Sequence, residues 1–67
     1  MTNIDKIKGL WEQINHKGRF MELVAKDLNK SKKTLKVYWF SNYADWSIPK
    51  EHQKRVIELM LMKIDEQ

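Results

Sequence analysis

Residues 21–40 read MELVAKDLNKSKKTLKVYWF, and two short helical patterns meet inside them. On the upstream side Phe20, Leu23, Val24 and Leu28 recur at three- and four-residue steps, which gathers them on one helix face. On the downstream side Leu35, Tyr38 and Trp39 repeat in the same way, with Thr34 beside them. Asn29-Lys30 breaks the first pattern, because asparagine is one of the few non-glycine residues that accepts a left-handed backbone. Ser31 is placed to cap the second pattern. The spacing predicts helices over about residues 19–28 and 31–42, joined by a tight turn at Asn29. Ala25 falls where two steeply crossing helices would touch, and a bulkier side chain there would push them apart.

Helices are also predicted on either side. Ile4, Ile7, Leu10, Trp11 and Ile14 share one face of a segment from about Asn3 to Ile14. Thr2 or Asn3 serves as its cap, and Asp5 suits the positive end of the helix dipole. Gly18 is expected to supply the turn that follows. After residue 42 a loop from Ser41 to Ile48 is expected, anchored by Tyr43 and Trp46. A last helix, over about residues 49–65, begins with Pro49 and Glu51, both favoured in a first turn. Its apolar residues are too many for one stripe. Ile57, Met60, Leu61 and Ile64 are assigned to the core. Val56, Leu59 and Met62 are left as a surplus, expected at a homodimer interface. The 67 residues therefore read as one all-α domain of four helices. The layout of residues 19–42 is that of a helix-turn-helix unit, whose second helix offers polar side chains to the major groove.

The charge distribution points the same way. Thirteen Lys and Arg stand against nine Asp and Glu, a modest net charge of +4. From Leu28 to Ala44, however, there is no acidic residue, and Lys30, Lys32, Lys33 and Lys36 all lie there. Such a block is the electrostatic footprint of phosphate contact, although for a lysine cluster alone a solvated helix face is the safer reading. The chain has no cysteine, so disulfides and thiolate metal sites are excluded. His16 and His52 form no ligand pair, and no cofactor is implied. The carboxylates are scattered, no glycine-rich phosphate loop occurs, and no nucleophile, base and orienting group come together, so an enzyme is not expected. Trp11, Trp39 and Trp46 are assigned to the core, for their volume. Phe40 is placed at the outer face or an interface. No apolar run is long enough to span a bilayer, and the N-terminus lacks the pattern of a signal peptide, so a cytoplasmic location is expected.

The stretch Ala25-Lys26-Asp27-Leu28-Asn29-Lys30-Ser31, followed by Thr34-Leu35, resembles the helix-turn-helix of phage Cro-type and repressor-type proteins. Trp46-Ser47-Ile48-Pro49-Lys50-Glu51-His52 is similar to an Ile-Pro-x-Glu-His segment that follows the recognition helix in many of them. The chain departs from the family pattern at Asn29, where glycine is usual, and at Lys30, where an apolar residue is usual. The resemblance implies a homodimeric transcriptional regulator, a repressor of phage or prophage origin acting on a palindromic operator in a bacterial cell. By the same resemblance Lys30, Ser31, Lys32, Lys33, Lys36 and Val37, with Thr34 as a weaker match, contact bases or nearby phosphates. Lys17 and Arg19 meet the phosphate backbone. Lysine suits phosphates and guanine edges, and valine suits a thymine methyl. Two alternatives stand beside this reading. One is a small protein-interaction module or phage inhibitor on the same scaffold. The other is a protein that binds nucleic acid without sequence preference.

Overall fold

Thr2 opens the first helix with a reciprocal cap. Its hydroxyl accepts from the Asp5 amide at 3.2 Å, and the Asp5 carboxylate accepts from the Thr2 amide at 3.4 Å. A computed structural model describes residues 2–67, and among them there are four helices and no strand. Helix α1 spans Asn3–Glu12 and α2 spans Lys17–Leu28. Helix α3 spans Lys32–Thr34 and continues through Leu35–Trp39 as a wider, i→i+5 turn. A short 3-10 turn covers Asn42–Ala44, and α4 spans Lys50–Glu66. The Cα radius of gyration is 10.7 Å. No helix is long and apolar enough to cross a membrane among these residues.

The turn between α1 and α2 is made by His16, which takes a left-handed backbone at φ 54°. Gly18, expected in that role, lies instead inside the first turn of α2. The Lys17 ammonium reaches back over the turn that follows α1. It donates to the Ile14 carbonyl at 2.9 Å and lies 5.5 Å from the centre of the Trp11 ring. Gly9 sits in the exposed middle of α1, and a Cβ added there would meet nothing within 4 Å. Gly9→Ala should therefore stabilise the fold by about 1 kcal/mol, the helix-propensity difference, read as a higher urea midpoint at unchanged slope.

The core is built around aromatic rings. Trp11 and Phe40 stack at 4.6 Å, with Phe20 6.0 Å and Trp46 5.9 Å from Phe40. Phe40 is thus buried, not on the outer face, and Tyr38, expected inside, is half exposed. The i→i+5 turn explains the exchange. The Phe40 amide donates to the Leu35 carbonyl at 2.9 Å, so residues four and five along both fall below Leu35. Trp39 and Phe40 then enter the core together, and the helix stops after Trp39 rather than near Asn42. The following loop is pinned by Trp46, whose indole N–H donates to Asn42 at 3.0 Å. Tyr43 plays no part in that anchoring and stands in solvent.

Helix α4 packs chiefly on α1 and also on α2. Val56, Leu59 and Met60 form its buried row, at the i, i+3 and i+4 steps expected of one face. Val56 and Leu59, assigned by the sequence to a dimer interface, are therefore inside the core of the single chain. The reason is phase: seven apolar residues surround most of the helix, and packing against α1 selects the 56–59–60 row. Ile57 and Ile64 are half-buried at its edge, and Leu61, expected in the core, is exposed with Met62. In α2 the same shift buries Met21 with Phe20 and Val24 and leaves Leu23 outside.

One ion pair ties α2 to α4. Arg55 donates through Nε and an Nη to the two Asp27 carboxylate oxygens, both at 3.0 Å, and through its other Nη to Glu58 at 3.2 Å. The hydrogen bonds from Arg55, then its charge, hold the Asp27 carboxyl below its usual range. A depressed carboxylate contributes stability above its unfolded pKa of about 3.9 and loses it as pH falls through the folded value. The stability gap between the wild-type chain and Arg55→Gln should hence close as the medium is acidified below about pH 4. Urea melts of both proteins across that range measure it.

Candidate nucleic-acid interface

The turn before α3 is held by backbone chemistry. Asn29 is left-handed at φ 55°, ψ 48°, as its place in the sequence predicts. The Lys30 amide donates to the Ala25 carbonyl at 2.8 Å, which closes the end of α2 in a Schellman arrangement. Ser31 then caps α3, its hydroxyl accepting from the Thr34 amide at 3.0 Å. It also donates to the Thr34 hydroxyl at 3.1 Å, so both side chains are engaged at the cap. Leu35 is fully buried beneath the turn and fixes the rotation of the helix.

That rotation decides what α3 presents. Lys30, Lys32, Lys33 and Lys36 are exposed, and Val37 and Thr34 are half-buried. With Leu35 pointing inward, Lys33 stands outermost, Lys32 and Lys36 lie on one flank, Tyr38 lies on the other, and Val37 is partly covered. Lys30, Lys33 and Lys36 make no ion pair among the described residues. Lys32 does: its ammonium meets Glu22 of α2 at 3.0 Å. The same ammonium lies 3.9 Å from where a Cβ on Gly18 would stand, so the first turns of α2 and α3 are neighbours. Arg19, in that first turn of α2, is exposed and unpaired among the described residues, and it extends the basic surface.

Of the residues assigned to nucleic-acid contact, Lys30, Lys32, Lys33, Lys36, Val37 and Arg19 are brought to this part of the surface. Lys17 is different, because its ammonium is turned onto Ile14 and Trp11, where it serves the fold. Ser31 and Thr34 contribute mainly to the cap. The ion pair of Lys32 with Glu22 was not foreseen. The ten-residue separation of the partners is bridged only by the tertiary arrangement of α2 and α3.

Tyr38 and Tyr43 are the unforeseen members of the surface. They are 47% and 81% exposed, and their rings meet edge to face at 6.3 Å. Comparison of the chain with protein-family models, with curated proteins and with solved structures yields no match.

Proposed function

We propose that this chain is a sequence-specific DNA-binding regulator of the helix-turn-helix type, which lays α3 in the major groove. The observation that carries the reading is the exposed lysine face of α3, a helix with no acidic residue of its own, capped by Ser31 and oriented by buried Leu35, with Glu22 of α2 paired to Lys32 at its side. Lys33 and Lys36 would read base edges, with Lys36 favoured as the base reader, and half-buried Val37 would offer only its exposed edge. Lys30 and Arg19 would meet phosphates. Lys32 would exchange Glu22 for a phosphate or a base. The role is binding rather than catalysis, and the resemblance to phage repressors supports a repressor acting inside a bacterial cell.

The functional unit in this reading is a homodimer, with two copies of α3 about 34 Å apart on a palindromic site. Its contact surface falls to Met62, 55% exposed, together with Leu61, 46% exposed, on the outward side of α4. The test is a gel shift on DNA from upstream of the chain's own gene, with a scrambled duplex as competitor. Retention of the upstream complex under excess competitor supports a sequence-specific regulator. Equal loss to both duplexes favours a protein without sequence preference, and no shift at low salt removes the nucleic-acid reading.

A further inference from the structure

The chain has seven aromatic residues, and its two tyrosines are the most exposed of them. They come from different segments, Tyr38 from the wide turn of α3 and Tyr43 from the 3-10 turn, yet they meet. Both are held by their backbones. The Tyr38 carbonyl accepts from the Ser47 amide at 2.9 Å, and the Tyr43 amide donates to the Ser41 hydroxyl at 3.0 Å. The turn under Tyr43 is braced further by the Trp46 indole on Asn42. An exposed aromatic pair on a braced backbone loses little freedom on binding.

The surroundings favour one kind of occupant. Tyr38 follows Lys36 and Val37 in the chain, and both tyrosines fall within the stretch from Leu28 to Ala44 that has four lysines and no acidic residue. A ligand drawn there would be anionic, and one that also stacks on aromatic rings carries π-faces beside its phosphates. We propose that Tyr38 and Tyr43 form a stacking platform for an unpaired nucleobase at the border of the lysine face. The chain would then prefer DNA whose duplex is frayed or continues as a single strand beside the α3 site. This rests on the nucleic-acid reading of α3 and adds the form of DNA it takes.

The experiment uses fluorescence anisotropy with two probes, a blunt duplex and the same duplex carrying a short oligothymidine extension. Stacking of one base should make the extended probe bind about fivefold tighter or more. The gain should persist in Tyr38→Phe/Tyr43→Phe, which keeps the rings, and vanish in Tyr38→Ala/Tyr43→Ala. Circular dichroism confirms that the variants fold, as expected for exposed positions. No gain from the extension, or a gain that survives both alanines, overturns the proposal and leaves the pair to a protein partner. Binding of the blunt duplex separates the two claims. It should depend on the α3 lysines and not on the tyrosines, so the platform can fail while the α3 reading stands.

Discussion

Phe40→Ala should lower the stability of the chain by about 3–5 kcal/mol at 25 °C, the largest loss expected of any single change considered. Phe40 is 7% exposed, stacks on Trp11 at 4.6 Å and lies within about 6 Å of Phe20 and Trp46. Truncating a buried phenylalanine costs about 3–5 kcal/mol, from the transfer energy forgone and the cavity left behind. At roughly 0.05–0.15 kcal/mol per residue, a domain of this length has about 3–10 kcal/mol in all, so one such change removes between about a third and all of it. The cavity also opens under the i→i+5 turn, because Phe40 donates the hydrogen bond that closes that turn. Phe40→Leu keeps much of the volume and should retain the helical spectrum with a lower urea midpoint. The measurement is a urea melt followed by far-ultraviolet circular dichroism. Were Phe40 on the outer face, as the spacing alone suggests, its truncation would cost under about 0.5 kcal/mol, as surface changes do.

Replacing Lys32, Lys33 and Lys36 together by alanine should abolish DNA binding at physiological salt while leaving the fold intact. All three are exposed, and none supports the core. Removing a lysine that meets a phosphate should lower the salt slope by about 1. Removing one that reads a base should cost about 1–3 kcal/mol and relax preference at one base pair. The combined effect should therefore exceed about a hundredfold in affinity. The single changes should differ in kind. Lys36→Ala is expected to weaken the cognate site more than a scrambled one, and Lys32→Ala to weaken both alike. Lys63, near the far end of α4, serves as the control.

The contrast between these two variants shows where the sequence is informative. Thr2, Asn29 and Ser31 announce helix ends through their own backbone and side-chain preferences, so those boundaries were readable without tertiary knowledge. Phe40 and Tyr38 were exchanged because the reading kept a 3.6-residue period across Leu35–Trp39, where the chain adopts a wider turn. No residue type there marks the change; the demand to bury both Trp39 and Phe40 does. Val56, Leu59 and Leu61 were misassigned for a related reason. An apolar pattern covering most of α4 leaves the centre of its buried face to the neighbouring helix. His16 replaced Gly18 at the first turn because a left-handed histidine leaves little trace in a sequence.

The candidate site follows the same division. The lysine block needs only composition, a cap and a buried Leu35 to reach the surface, and it was legible. The engagement of Lys17 by Ile14 and Trp11 depends on the way α1 meets α2. The engagement of Lys32 by Glu22 depends on the way α2 meets α3. The pairing of Tyr38 with Tyr43 depends on the wide turn and the 3-10 turn coming together. Each of these is a property of packing.

Whether the outer face of α3 binds DNA is decided by a salt titration of duplex binding for the wild-type chain, the triple lysine variant and Lys63→Ala. Affinity should fall steeply with salt for the wild type, the slope should be shallower by up to about 3 in the triple variant, and Lys63→Ala should match the wild type. A triple variant that binds with the wild-type affinity and the wild-type slope would contradict DNA recognition by α3.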